Sequence, residues 1–165
     1  MRLPNRKPGK YTFPTFDPQM TQDKFDAFKE KLARVKDQLP QAIKDTRRYA
    51  ENGDFSENAE YQIAKGRLRG LNRAVDELQH QITHAVIIQP TKETSTVAVG
   101  HTVTITGSGV ERRFQILGSS ETNPMRGIIS YQSPLGSALL GHAVGDIITV
   151  DMGQTTMQYT IVSIA

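Results

Sequence analysis

The sequence contains no cysteine and no tryptophan. Without cysteine, disulfides and thiolate metal sites are excluded outright. No apolar run approaches the roughly 20 residues that a membrane-spanning helix needs. The basic N-terminus is not followed by the apolar segment of a secretory signal, so a cytoplasmic protein is expected. Apolar residues are scarce at 37%. That is low for a compact globule and is expected where part of the chain forms an elongated arm with little interior. Neither sign of charge dominates: 20 Lys and Arg against 17 Asp and Glu give +3. The balance leans mildly towards polyanionic partners and is too small to establish nucleic-acid binding. No internal repeat is visible, and 165 residues suffice for one or two domains with a real core.

What is present falls into distinct textures. Residues 1–20 hold four prolines (Pro4, Pro8, Pro14, Pro18) and four cations (Arg2, Arg6, Lys7, Lys10). Such a segment cannot form a helix and has little to bury. Tyr11, Phe13 and Phe16 could pack an extended arm against the body, but the composition reads first as a flexible or loosely docked extension. From Thr21, a suitable N-cap, apolar residues fall at Phe25, Phe28, Leu32, Val35, Leu39 and Ala42. Alternating steps of three and four describe a coiled-coil seam. Pro40 is expected to kink or restart this helix, which should end at Gly53. A second run shows Ala64, Leu68, Leu71, Val75, Leu78, Ile82 and Ala85 with the same steps. Two matching seams about a tight turn predict an antiparallel helical hairpin over 21–89, about 45 Å long at 1.5 Å per residue.

A polar linker, 90–96, leads into a β-rich segment, 97–165. Strands are expected at Val97–Val99, Val103–Thr106, Arg113–Leu117, Gly127–Tyr131, Ile147–Val150 and Gln158–Ile164, separated by glycine-containing turns and by Asn123-Pro124. Pro134 to Leu140 fits a short helix ended by Gly141. The fold class is therefore α+β: a helical hairpin followed by a small domain whose antiparallel or mixed sheet curls against one helix.

Between the two helical runs lies Gly53-Asp54-Phe55-Ser56-Glu57-Asn58-Ala59-Glu60-Tyr61. Gly53 is a natural helix stop. Asp54 can cap the next helix, and Glu57 can reach back to complete a capping box. On the residues alone, capping is the plain reading of both carboxylates, and Glu60 is a first-turn acid favoured by the helix dipole. Arg47, Arg48, Lys65, Arg67, Arg69 and Arg73 cluster on the half of the hairpin nearest this turn, which is either a solvated flank or a phosphate-contacting patch. His80 and His84 have an i, i+4 spacing that can bind a metal, but no third ligand accompanies them.

The string Gly53 to Tyr61, followed by Ala64-Lys65, resembles the GreA/GreB transcript cleavage factors of bacterial RNA polymerase. Pro40, thirteen residues before the turn glycine, matches a proline of that family. Ser133-Pro134-Leu135-Gly136-Ser137-Ala138-Leu139-Leu140-Gly141 followed by Gly145-Asp146 resembles its C-terminal signature. The resemblance covers roughly residues 22–165 and implies a coiled-coil hairpin followed by a C-terminal domain of FKBP-like fold. It further implies a monomeric partner of RNA polymerase whose hairpin enters the secondary channel. There the acidic tip would promote hydrolysis of the RNA 3′ segment extruded on backtracking. On this basis Asp54 and Glu57 are the functional acids. Phe55, Ser56, Arg47, Arg48, Lys65 and Arg69 are the candidate RNA or polymerase contacts. One branch of the family has a basic residue three positions before the turn glycine, where this chain has Ala50. No cofactor of its own is implied, only Mg2+ shared with the polymerase, for which oxygen ligands are suited. Three rivals stand beside this reading: an inhibitor using the same channel, an FKBP-like isomerase or chaperone, and a structural coiled-coil adaptor. The intact tip argues against the first. The sparse aromatics of the C-terminal half, Phe114, Tyr131 and Tyr159, argue against the second.

Overall fold

The computed structural model describes residues 16–51, 59–89, 93–151, 153 and 156–165. These form two compact units: one holds Phe28–His84 together with Phe16, and the other joins Asp17–Ala27 to Ala85–Ala165.

The first unit is the helical hairpin, made by α1 (Gln22–Glu51), whose first residues belong to the second unit, and α2 (Ala59–Thr83). Every expected seam position is buried or half-buried on both helices, whereas Lys29, Lys31, Arg34 and Lys36 on the flank are exposed. The hydrophobic period thus turns one stripe of each helix inward. Ala42 and Ala64 are the most enclosed seam residues near the distal end, and Leu78 is buried further along α2. The restart expected at Pro40 does not occur, because α1 runs unbroken through it. Pro40 is exposed, while Leu39 and Ala42 on either side keep the seam covered. Packing along that seam outweighs the loss of one backbone donor. The Asp54 and Glu57 caps, with the rest of 52–58, lie outside the described residues.

The second unit contains a five-stranded mixed sheet in the order β5-β4-β3-β7-β6. Its strands are β3 (Thr102–Gly107), β4 (Val110–Leu117), β5 (Ile128–Ser130), β6 (Ile147–Asp151) and β7 (Thr156–Ile164). Within this sheet only β4 and β5 pair in parallel. The β3–β4 turn places Ser108 at φ 51° and Gly109 at φ 79°, the two left-handed residues of a type I′ hairpin. Where β7 meets β3, Thr104 faces Ser163 and Ile105 faces Ile161, leaving Val162 as a bulge. One face of the sheet carries Val103, Ile105, Ile148, Val150 and Ile161, all buried, and packs with Leu139 of α3 (Pro134–Leu139). The opposite face presents Thr102, Thr104, Thr106, Thr149 and Thr160, β-branched residues that suit a pleated surface in contact with water. Ser133 starts α3: its hydroxyl accepts from the Gly136 N–H at 3.1 Å and donates to the Ser130 carbonyl at 2.6 Å. A Cβ at Gly136 would sit 2.1 Å from that same carbonyl oxygen, so only glycine fits.

Two expectations are corrected here. Val97–Val99 is not a strand. Val97 is buried, but its N–H donates to the His142 carbonyl at 2.8 Å and its carbonyl accepts from Gly141 at 2.9 Å, which ties it to the loop after α3. The end of the supposed loose extension is also part of the fold. β1 (Gln19–Met20) pairs in parallel with β2 (Val86–Ile87), and Met20 is fully buried. β1 leads directly into α1, and β2 follows α2, so the two chain ends of the hairpin are joined by this short ladder.

Candidate functional site

Near the connection between α1 and α2, the small side chains of Ala42 and Ala64 line a cleft of about 280 Å³. Asp45 and Tyr49 from α1 and Glu60, Ile63 and Arg67 from α2 complete its lining. Asp45 accepts a hydrogen bond from the Gln41 side chain at 2.7 Å, and Ile63 is 72% exposed. The surface beside the tip is therefore mixed, with charged rims around a small apolar floor.

The candidate cations lie on the outer surfaces of this region. Arg47 and Arg48 are exposed and line a shallow groove with Pro40, Ile43, Lys44 and Glu51. Lys44, Arg47 and Arg48 share one face of α1 by their spacing of three and four. The Arg48 guanidinium lies 5.6 Å from the ring centre of Tyr49, and the Lys65 ammonium lies 5.5 Å from that of Tyr61. Each contact holds a cation over an aromatic face with a worth of about 0.5–1 kcal/mol at an exposed site. Lys65 and Arg69, four residues apart, share a face of α2, and both are exposed. Arg73 is instead bridged to Glu77 at 2.8 Å. Asp54, Phe55, Ser56 and Glu57 lie outside the described residues, so the cations flank a tip whose own geometry is not described.

His80 and His84 stack with ring centres 4.2 Å apart, and the edge of Phe16 meets His80 at 6.0 Å. The His84 Nδ1 lies 2.8 Å from the His80 carbonyl, to which it donates. Among the described residues no group of three or more His, Asp or Glu side chains could hold a metal ion.

A second polar constellation, which the sequence did not disclose, lies where α1 begins. The Asp17 carboxylate is 8% exposed. It accepts from the Ser119 N–H at 2.7 Å, the Tyr131 hydroxyl at 2.9 Å and the Gln19 N–H at 3.1 Å. Burial pushes its pKa up, but the bonds from Ser119, Gln19 and Tyr131 together outweigh burial and hold it below the usual carboxylate value. The Tyr131 hydroxyl is displaced upward, first by burial and then by Asp17, with a bond from Gln132 acting in the opposite sense. Four residues after Asp17, Thr21 caps α1, its hydroxyl accepting from the Lys24 N–H at 3.3 Å. Glu121 in turn accepts from the Thr21 N–H at 2.9 Å and from the Thr21 hydroxyl at 2.5 Å. Gly118, just before the Ser119–Glu121 turn, allows this approach: a Cβ there would lie 1.9 Å from the Gln19 carbonyl oxygen. Of these residues only Thr21 carried a sequence signal. The others act through partners about a hundred positions away.

These features define a two-part α+β protein, a long helical hairpin with exposed cations beside its turn joined to a small curled β domain. Two family profiles match it: "Transcription elongation factor, N-terminal" over residues 18–87 and "Transcription elongation factor, GreA/GreB, C-term" over residues 92–165. Transcription elongation factor GreA of Treponema pallidum (strain Nichols) is 35% identical over 150 residues, 88% of this chain and 93% of that protein. Its counterpart in Paracoccus denitrificans is 34% identical over 148 residues, covering 88% and 95%. Among solved structures, the GreA factor homolog 1 (Gfh1) protein of Thermus thermophilus is 26% identical, with a TM-score of 0.41 over 88% of this chain and 97% of that one. The chain belongs to the GreA/GreB family of transcription elongation factors. The family is named for a transcription factor and not for an enzyme.

Proposed function

We infer that this factor acts with bacterial RNA polymerase and stimulates the polymerase's own cleavage of the RNA 3′ segment in backtracked complexes. The hairpin enters through the secondary channel, and the tip carboxylates Asp54 and Glu57 act in the polymerase active site. The observation that carries the reading is the intact acidic string Gly53 to Tyr61 on a chain whose two halves both match the family. The factor has no cofactor of its own. A magnesium ion shared with the polymerase supplies charge stabilisation and an activated water in phosphodiester hydrolysis. Asp54 and Glu57 fit it by donor chemistry, since magnesium takes oxygen ligands and is often bound by only one or two carboxylates. Within this chain, the two acids orient or deprotonate the attacking water. Arg47, Arg48, Lys65 and Arg69 contact phosphates of the extruded RNA from the flanks of the tip, where their exposure leaves them accessible. Phe55 and Ser56 contact the polymerase or the RNA end.

The test uses backtracked polymerase complexes with 3′-labelled RNA, magnesium, and either this protein or its Asp54→Ala, Glu57→Ala double variant. Shortening of the RNA by the wild type, with a variant that binds but does not cleave, is the expected result. Binding and blocked elongation without cleavage by both proteins would make the factor an inhibitor. Absence of binding by the wild type would remove the polymerase as partner.

A further inference from the structure

His80 lies in the last turn of α2 and His84 just past its end, both within the hairpin unit. Their spacing of four puts them on one side of the helix, an arrangement in which two imidazoles can hold one metal ion. The structure adds geometry that the spacing alone does not give. The two ring centres lie 4.2 Å apart, with 33° between the ring planes. The His84 Nδ1–H donates to the His80 carbonyl at 2.8 Å. That bond fixes the neutral tautomer, placing the proton on Nδ1 and the lone pair on Nε2. Metal-ligating histidines are held in this way, one ring nitrogen donating to a carbonyl or carboxylate and the other on the metal. His84 is exposed, so an ion from solution reaches it. His80 is half-buried, and the edge of Phe16 meets it with ring centres 6.0 Å apart. An imidazole has two nitrogens, so His80 can ligate through one and keep a hydrogen bond through the other.

The ring separation also selects the metal. With metal–nitrogen bonds of about 2.0–2.1 Å, two imidazoles on neighbouring corners of a square hold their ring centres about 4.5 Å apart. A tetrahedral angle spreads them to about 5.2 Å. The observed 4.2 Å fits the square arrangement. We propose that His80 and His84 form a two-histidine site for a nitrogen-seeking divalent ion of tetragonal preference, copper(II) or nickel(II). Among the described residues no group of three or more His, Asp or Glu side chains forms a metal site, so water fills the remaining corners and the ion stays exchangeable. The site is separate from the magnesium chemistry of the tip. Magnesium takes oxygen ligands, and His80 stands twenty residues along α2 from Glu60, about 30 Å at 1.5 Å per residue. An ion shared by positions four apart ties the end of α2 into its last turn, so binding favours the folded hairpin.

The test titrates the full-length protein, without an affinity tag, with copper(II) chloride while visible absorption and electron paramagnetic resonance are recorded. The absence of cysteine removes thiolates as competing ligands. A single tight equivalent is expected, with the hyperfine pattern of two coordinated ring nitrogens. His80→Gln and His84→Gln should each weaken binding about tenfold or more and remove one nitrogen from that pattern, in variants whose circular dichroism stays that of the parent. His142→Gln should change neither, because that imidazole lies instead against Asp146 at 3.2 Å. One equivalent of copper should raise the unfolding midpoint of the parent and leave that of His84→Gln where it is. Magnesium in about hundredfold excess should not displace the copper, since it disfavours nitrogen ligands. Equal copper affinity in the parent and the His80→Gln, His84→Gln double variant overturns the proposal, and so does displacement by magnesium. Zinc bound more tightly than nickel overturns the tetragonal assignment. None of these outcomes depends on whether the factor stimulates transcript cleavage.

Discussion

Glu121 takes both polar hydrogens of Thr21, the backbone N–H at 2.9 Å and the hydroxyl at 2.5 Å, while the Thr21 oxygen itself caps Lys24. One side chain thus satisfies a residue 100 positions earlier, and a helix start is welded to a distant turn. Removal of Glu121 by substitution with alanine should cost about 1–3 kcal/mol, since it strands a capping residue and a charge-assisted pair of bonds. Thr21→Val keeps the backbone N–H bond to Glu121 but removes the hydroxyl bond and the Lys24 cap. In urea unfolding the double variant should therefore lose less than the sum of Glu121→Ala and Thr21→Val, because the hydroxyl bond is lost in both.

Asp17 makes stability depend on acidity. Its folded pKa lies below the ordinary value of 3.8, so the unfolded chain binds a proton more readily than the folded one. Its contribution is therefore complete above the unfolded value and is lost as pH falls through the folded one. Unfolding midpoints measured from neutral pH downward should show wild type and Asp17→Asn furthest apart above about pH 4 and converging below it. A constant gap throughout the acid range would show that the charge on Asp17 is irrelevant.

Glycines of this chain should respond to alanine with opposite signs. At Gly136 the new Cβ would meet the Ser130 carbonyl oxygen at 2.1 Å and its carbon at 3.0 Å, backbone atoms that cannot turn aside as a side chain would, and the Ser133 hydroxyl at 3.0 Å. A loss of about 2 kcal/mol or more is expected from such strain. At Gly70, inside α2, nothing lies within 4 Å of the added atom. Gly70→Ala should therefore stabilise the hairpin by about 0.5–1 kcal/mol through helix propensity. Thermal melts of the two variants give the comparison directly.

Pro40→Ala offers a third test of how α1 is held. Because the helix already runs through this exposed position, alanine restores a backbone donor without altering the path of the chain. The hairpin should gain about 1–3 kcal/mol, the range set by the proline penalty in a helix interior. A decrease in melting temperature would mean that Pro40 supports a local geometry that alanine does not reproduce.

The hairpin was legible because its two seams repeat at alternating steps of three and four over many turns, a signal carried by local sequence alone. The α3 helix was legible for a similar reason, with Ser133 and Pro134 at its start and Gly141 just past its end. The junction was not. β1 and β2 are two residues each, too short for any alternation to register, and Pro18 beside them weighs against a strand. Val97 has the apolar character of a strand residue, and its burial was foreseeable, but its hydrogen-bond partners belong to the loop around Gly141 and His142. Asp17 resembled one more polar residue in a proline-rich tail, since its partners Ser119 and Tyr131 lie 102 and 114 positions away. The reading of the acidic tip as functional rests on the resemblance carried by the string Gly53 to Tyr61, which includes Asp54 and Glu57. The tip falls outside the described residues, so the placement of those carboxylates is a matter for the cleavage experiment.

The sequence distance across the junction has a consequence for the order in which the protein is made. On the ribosome, the residues of α1 and α2 emerge long before Ser119, Glu121 and Tyr131 exist. Asp17 and Thr21 must therefore wait, unfastened, until most of the chain has been synthesised, because contacts of such separation are among the last to be rewarded. The helices can form as they appear, but the entrance to the first of them is secured only when the chain is nearly complete.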